Sequence, residues 1–319
     1  LIQSTELDSI EQGINELRAA IRIDPRFAMP YADIADSYSQ LLSYGLLDNE
    51  ELIGEARNAA FTAIALAPDL VEAHSALAMI HQYYDVDWAA ADAAYEAGVA
   101  LGPTRPGIFH RYTDYLVLML RFTKAKEMAA RAVALDPLDS NSLHAVGLAN
   151  LADREFDAAS ETLGDWTRFH PGSRWSYIKH ALALSLAGRC EEASAQAAKV
   201  AARLGDNTPS LHASWLAWGY HLCGNQQEYR RYVDRVHELQ GEQPDPTDPG
   251  LIYILALEGD VDGFMQSFLQ IREQGKPFLA FAQLFSVDYI GLPITAKLAE
   301  DERYQALLDE LDFPQGDLD

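Results

Sequence analysis

His74 and His81 stand two helical turns apart, a spacing that sets both imidazoles on one face as a metal pair would need. Satisfied core histidines are expected instead. Asp245 and Asp248 could touch a cation from a proline-rich loop, but too few ligands surround them for a calcium site. Cys190 and Cys223 lack metal-ligand spacing; buried structural thiols are expected, with a disulfide as the alternative. Glu191 and Glu192 read as a solvated first-turn pair favoured by the helix dipole. The chain has no phosphate-cradling glycine loop, no Gly-x-Ser-x-Gly elbow and no His-Glu-x-x-His. No catalysis, cofactor or metal is expected.

The elements that carry these residues repeat. Pro103, Pro137 and Pro171 lie 34 residues apart, and the stretches between them keep one pattern. Phe109, Tyr112 and Leu116 mark one face of a first helix, Ala125, Ala129 and Ala132 one face of a second, and Asp136-Pro137 closes the pair. The next copy reads Leu143, Val146, Gly147 and Asn150, then Ala159, Leu163, Trp166 and Pro171. Proline ends each pair because it cannot continue a helix and disfavours helical geometry in the residue before it. Small side chains let the two helices of a pair approach closely. So short a pair cannot bury its apolar face alone and must stack on the next.

This period and closing Asp-Pro resemble the tetratricopeptide repeat. The resemblance implies an all-α fold, a right-handed superhelical solenoid of helix-turn-helix pairs with a C-terminal capping helix. It also implies protein recognition as the broad role.

Taken in order, residues 1–25 read as an incomplete first repeat, with Leu7, Ile10, Ile14, Leu17 and Ile21 on one stripe. Repeats follow near 28–68, 71–103, 106–137, 140–171, 174–205 and 208–240, completing a solenoid over 1–242. The first of these holds an excess around Leu41, Leu42, Tyr44 and Gly45, expected as a lengthened helix and a long turn. Asp87 reads as the N-cap of a helix starting at Trp88. Gly241 to Gly250 is the best break. Residues 243–319 are expected as a diverged helix pair and capping helices, including a helix-prone stretch near 277–290. The last helix, from Asp301 to Leu311, lays Tyr304, Leu307 and Leu308 on the preceding unit, and residues 315–319 are expected to be disordered. The stripe of the first helix, without its neighbour, predicts self-association or cover by another part of the protein.

Composition narrows the partners. Twenty-four basic against 48 acidic residues give a formal charge of −24, which argues against binding to a phosphate backbone. With 49% hydrophobic residues the chain can build a continuous core. The longest apolar run, Tyr115 to Leu120, is too short to span a membrane. The chain begins at Leu1 with no signal-peptide pattern, as a fragment would, and a cytoplasmic setting is favoured. A periplasmic one would follow from an upstream transmembrane segment.

In tetratricopeptide-repeat proteins the concave groove is lined by the first helices. Carried onto this chain, the resemblance implies Asp33, Asp36, Glu72, Met79, Gln82 and Asp114 in the amino half, and Leu148, Leu151, Trp175, Ile178, Leu182 and Tyr220 in the carboxy half. Such a groove grades from acidic to apolar and suits a peptide with basic residues at one end and large apolar anchors at the other. The alternative is that these apolar residues are covered by the array itself. The carboxylate-clamp positions of chaperone-tail adaptors hold Asp33 and Asp36, Ser75 and Met79, His110 and Asp114, then His144 and Leu148, from which no clamp can be built. Arg105, Arg111, Arg121, Lys124, Lys126 and Arg131 follow a stretch without Lys or Arg. They read either as a docking patch for an acidic partner or domain, or as a solvated face with local ion pairs.

Beyond the repeat, Tyr44-Gly45, Tyr84-Asp85-Val86-Asp87-Trp88 and the closing run from Asp301 to Leu308 resemble one bacterial architecture. It is the C-terminal repeat region that follows an adenylate/guanylate cyclase domain or a CadC-like winged-helix DNA-binding domain. The expected function is therefore a non-catalytic protein-interaction scaffold in a bacterial signalling or transcription-regulating protein. The alternative is part of a cyclase-type enzyme whose catalytic domain lies upstream.

Overall fold

In the computed structural model, residues 4–43, 49–275 and 292–313 are described. Among these residues every regular element is helical, which bears out the all-α solenoid. The chain forms two compact units, one from the residues up to Ile108 and one from Phe109 through Gln270 with the closing helices. Each is described by itself.

The first unit holds α1 (Ser4–Ile23), α2 (Ala28–Ser43), α3 (Glu50–Leu66), α4 (Val71–Ile80) and α5 (Trp88–Leu101). Alanines make its close crossings: Ala32, Ala63 and Ala73 form a cluster with no exposed surface. α1 packs on α2, which covers Ile14 to 3% exposure, and Arg18 joins Glu55 of α3 at 2.7 Å and Tyr38 at 3.0 Å. Part of the predicted bare stripe is thus covered by the chain's own helices. The lengthened helix runs to Ser43, with Leu41 and Leu42 buried; Tyr44 and Gly45 lie outside the described residues.

α4 passes into a π-helical turn, His81–Asp85, and Val86 takes the left-handed conformation at φ 52°. Asp87 then caps α5 as its spacing predicts, accepting from the Ala90 amide at 2.9 Å. The histidines are satisfied but half-buried, which corrects their expected place in the core. His74 Nε2 pairs with the Pro68 carbonyl at 2.9 Å and His81 Nδ1 with Asp85 at 2.8 Å.

The second unit continues with α6 (Pro106–Leu118), α7 (Phe122–Leu135), α8 (Ser140–Ala152), α9 (Phe156–Phe169), α10 (Arg174–Leu186), α11 (Cys190–Leu204), α12 (Ser210–Leu222) and α13 (Gln226–Gln240). α8 and α9 cross at Gly147, where a Cβ would lie 2.4 Å from Leu163 Cδ2. The turns between paired helices are built alike. Leu120, Arg154 and Gly188, each 34 residues on, adopt φ 57°, 59° and 75°, and the amide after each returns to a carbonyl five residues back.

The glycine- and proline-rich segment after α13 is tied down at its far end. Asp248 caps α14 (Pro249–Glu258) at the Leu251 amide, 2.8 Å, and also accepts from the Ser210 hydroxyl. Asp245 accepts from the Thr247 amide and hydroxyl, so both carboxylates serve the local backbone. α15 (Val261–Glu273), α16 (Thr295–Ala299) and α17 (Glu302–Glu310) complete the described chain. Tyr304, Leu307 and Leu308 bury the apolar face of α17, Tyr304 meeting Phe264 of α15. The stretch predicted near 277–290 and residues 315–319 lie outside the described residues.

The cysteines are not free thiols. Cys190 and Cys223 form a disulfide with Cα atoms 5.5 Å apart, which corrects the expectation. Cys190 opens α11 and Cys223 follows α12, so the bond joins the interhelix turns of two adjacent repeats.

Candidate binding face

In the first unit, the structure brings Asp33 and Asp36 of α2 and Glu72 of α4 to one face. Burial, and then the charges of Asp36 and Glu72, hold the Asp33 carboxyl above its usual range. Gln40 donates to Asp36 at 2.7 Å, and Glu72 meets Arg105 at 3.4 Å. Met79 and Gln82 are 6% and 2% exposed, and Gln82 accepts from the Tyr95 hydroxyl at 2.8 Å.

In the second unit, Leu151, Ile178, Leu182 and Tyr220 are buried, with Tyr220 stacked on Tyr232. They fill the seams between successive helices. Asp114, Leu148 and Trp175 remain partly exposed. Trp175 packs on the core of α8 and α9 and meets two α12 rings, His212 at 4.5 Å and Trp215 edge-on at 5.8 Å. Trp215 in turn meets Tyr253 of α14 at 5.6 Å. Trp175, Trp215 and Tyr253, all partly exposed, thus form a row across α10, α12 and α14.

A polar cluster borders this row. The Lys179 ammonium donates to His144 Nε2 at 2.7 Å and stands 5.3 Å from the Trp215 ring centroid. Burial pushes Lys179 down to about 8, with Asp114 pulling the other way. Burial likewise raises Asp114 to about 7, against the pull of Lys179 and Arg111. His144 is held well below its usual value by burial and then by Lys179, which leaves a neutral imidazole to accept the lysine's bond. Burial lowers His212 to about 3, and its two ring nitrogens and the Trp215 indole nitrogen have no hydrogen-bond partner among the described residues.

Of this face, Trp175 and Asp114 are legible in the sequence, while Lys179, His212, Trp215 and Tyr253 are not. The groove rule fixes positions by counting from the small packing residues, and that register weakens in the repeat that carries Trp215.

The basic residues of the predicted patch are engaged within the chain. Lys126 pairs with Asp153 and Glu155, both at 2.8 Å. Lys124 donates to Tyr112 at 2.7 Å, and Arg131 lies 4.2 Å from the Phe109 ring centroid. Arg105 holds Glu72, Arg111 faces Asp114, and Arg121 opens α7. Local pairing of this kind is the expected state of a solvated face.

Stacked helix pairs on a 34-residue period, several closed by proline, with small residues at crossings such as Ala63 and Gly147, define the tetratricopeptide-repeat fold. Solved structures of that fold match. A tetratricopeptide repeat protein from Parabacteroides merdae matches at 12% identity and a TM-score of 0.53, over 79% of this chain and 98% of its own. Rap protein complexed with competence and sporulation factor matches at 12% identity and 0.52, over 96% and 97%. Human IFIT1, solved as a dimer with m7Gppp-AAAA, matches at 15% identity and 0.60, over 94% and 68%. No family description matches the chain. No curated protein does either. Among the described residues no helix is long and apolar enough to cross a membrane.

Proposed function

We propose that this chain is a non-catalytic scaffold that binds a protein or peptide partner, and that the aromatic row of the second unit is its contact face. The row carries the reading. Trp175, Trp215 and Tyr253 offer partly exposed rings on three successive first helices, and such rings are the usual anchors of interfaces. Large apolar side chains of an extended or helical peptide suit this face. Separately, the carboxylates of Asp33, Asp36 and Glu72 form a face of the first unit that suits basic residues. A capped oligonucleotide, as in the IFIT1 structure, is disfavoured here by the charge of −24.

Titration with basic-amphipathic peptides tests the reading. Trp175→Ala is expected to cost about 2 kcal/mol or more of binding. The acidic face of the first unit is tested separately: Asp33→Lys/Asp36→Lys is expected to weaken binding of a basic peptide most at low salt, since at physiological ionic strength screening acts beyond about 8 Å. If both variants bind like the parent, or no peptide binds, the face is not the site. The basic residues around Arg121 then become the next candidate.

Within this class, the closing run from Asp301 to Leu308 and the segment around Trp88 support a regulatory region of a bacterial signalling or transcription-regulating protein. A cyclase-type enzyme with its catalytic domain upstream is the alternative output. A gene that encodes a cyclase or a DNA-binding domain together with this chain would distinguish the two.

A further inference from the structure

Cys190 and Cys223 occupy opposite helix ends. Cys190 is the first residue of α11, where free backbone N–H groups and the positive end of the helix dipole favour a thiolate. Glu191 and Glu192 in that first turn oppose the effect, and Arg189, bonded to Glu192 at 2.8 Å, offsets them. Cys223 is the C-cap of α12, where the negative end of the dipole disfavours a thiolate. Both cysteines are partly exposed residues. Cys223 also lines a cavity of about 10 Å³ between α10, α11 and α12, together with Ile178, Trp215 and Tyr220. The bond therefore closes a seam that one wall of the aromatic row shares.

We propose that Cys190–Cys223 is a polarised thiol–disulfide exchange site, attacked at Cys223 by a dithiol reductant, whose redox state controls the packing of α12 and the aromatic face it carries. The reductant's thiolate bonds to Cys223 Sγ, the Sγ–Sγ bond breaks, and Cys190 leaves as the thiolate that its helix end favours. The reductant's second thiolate then displaces Cys223 Sγ. Two electrons and two protons pass to the protein as two thiols, and the reductant departs as its own disulfide. The part concerning the aromatic face rests on the proposed function; the exchange site does not.

The test uses the full chain purified in air. Non-reducing peptide mapping is expected to recover Cys190 and Cys223 as one crosslinked peptide pair. Brief treatment with a monothiol, glutathione, is expected to leave its adduct on Cys223. Iodoacetamide should alkylate Cys190 in Cys223→Ser at least about tenfold faster at neutral pH than Cys223 in Cys190→Ser, with a lower apparent pKa. Free thiols in air-purified protein, an adduct on Cys190, or equal alkylation rates would overturn the exchange site. Adduct mapping on the parent chain decides the matter even if a serine variant fails to fold. Reduction should also shift tryptophan emission and change peptide affinity severalfold. Unchanged emission with the thiols fully reduced overturns control of the aromatic face, while peptide binding that is equal in both redox states leaves the scaffold reading standing.

Discussion

The Lys179 ammonium, carried by α10, donates to His144 Nε2 of α8 at 2.7 Å, so a lysine and a neutral histidine join the first helices of two successive repeats. The nearby Asp114 carboxyl interacts with this lysine, yet burial makes it hold its proton far above the usual range, at about 7.

This gives a pH dependence with a definite sign. A carboxyl whose folded pKa is raised contributes stability that is present below its unfolded value and lost as pH rises through the folded one. Asp114 therefore favours the fold near pH 4 and ceases to do so by pH 8. Against the parent, Asp114→Asn should gain about 1–2 kcal/mol between those pH values, a figure discounted from the full shift because the residue is partly exposed. Urea midpoints across that range check it; a constant difference would refute the assignment.

At the α8–α9 crossing, Gly147→Leu should destabilise the chain by about 1–3 kcal/mol, because the added side chain meets the fully buried Leu163. An unchanged melting temperature would mean that the helices cross elsewhere.

The shared turn geometry predicts a stabilising change. Arg154 holds a left-handed backbone at φ 59°, the conformation glycine supplies at position 188. Arg154→Gly should add about 0.5–1 kcal/mol, and Gly188→Ala should remove about 1 kcal/mol. Thermal melts of the two variants should move in opposite directions.

Loss of the crosslink should show in stability as well. Cys190 and Cys223 are 33 residues apart, a loop whose closure is worth about 3–4 kcal/mol in the chain-entropy account. Cys223→Ser should lower the melting temperature of air-oxidised protein, and adding a reductant to the parent should reproduce most of the loss.

The helices and their close crossings were legible in the sequence, because a period and small residues such as Ala63, Ala132 and Gly147 state both directly. The disulfide was not. Each half sits in an interhelix turn, and the distance between turns of adjacent repeats follows from stacking, which no local pattern encodes. The binding face was half legible. Counting from the packing residues located Trp175 and Asp114, but it also selected Ile178 and Leu182, which neighbouring first helices cover. Lys179 escaped because its partners, His144 and Asp114, lie one and two repeats away in sequence, and Trp215 because the register weakens in its repeat.

Leu120, Arg154 and Gly188 turn the chain with one backbone shape at intervals of 34 residues, although their side chains have nothing in common. Unequal crossing-over between any two of these sites would delete or duplicate a whole repeat and rejoin the same bend. The turn therefore accommodates a change in the number of repeats in whole steps of 34 residues, with the bend kept at each junction.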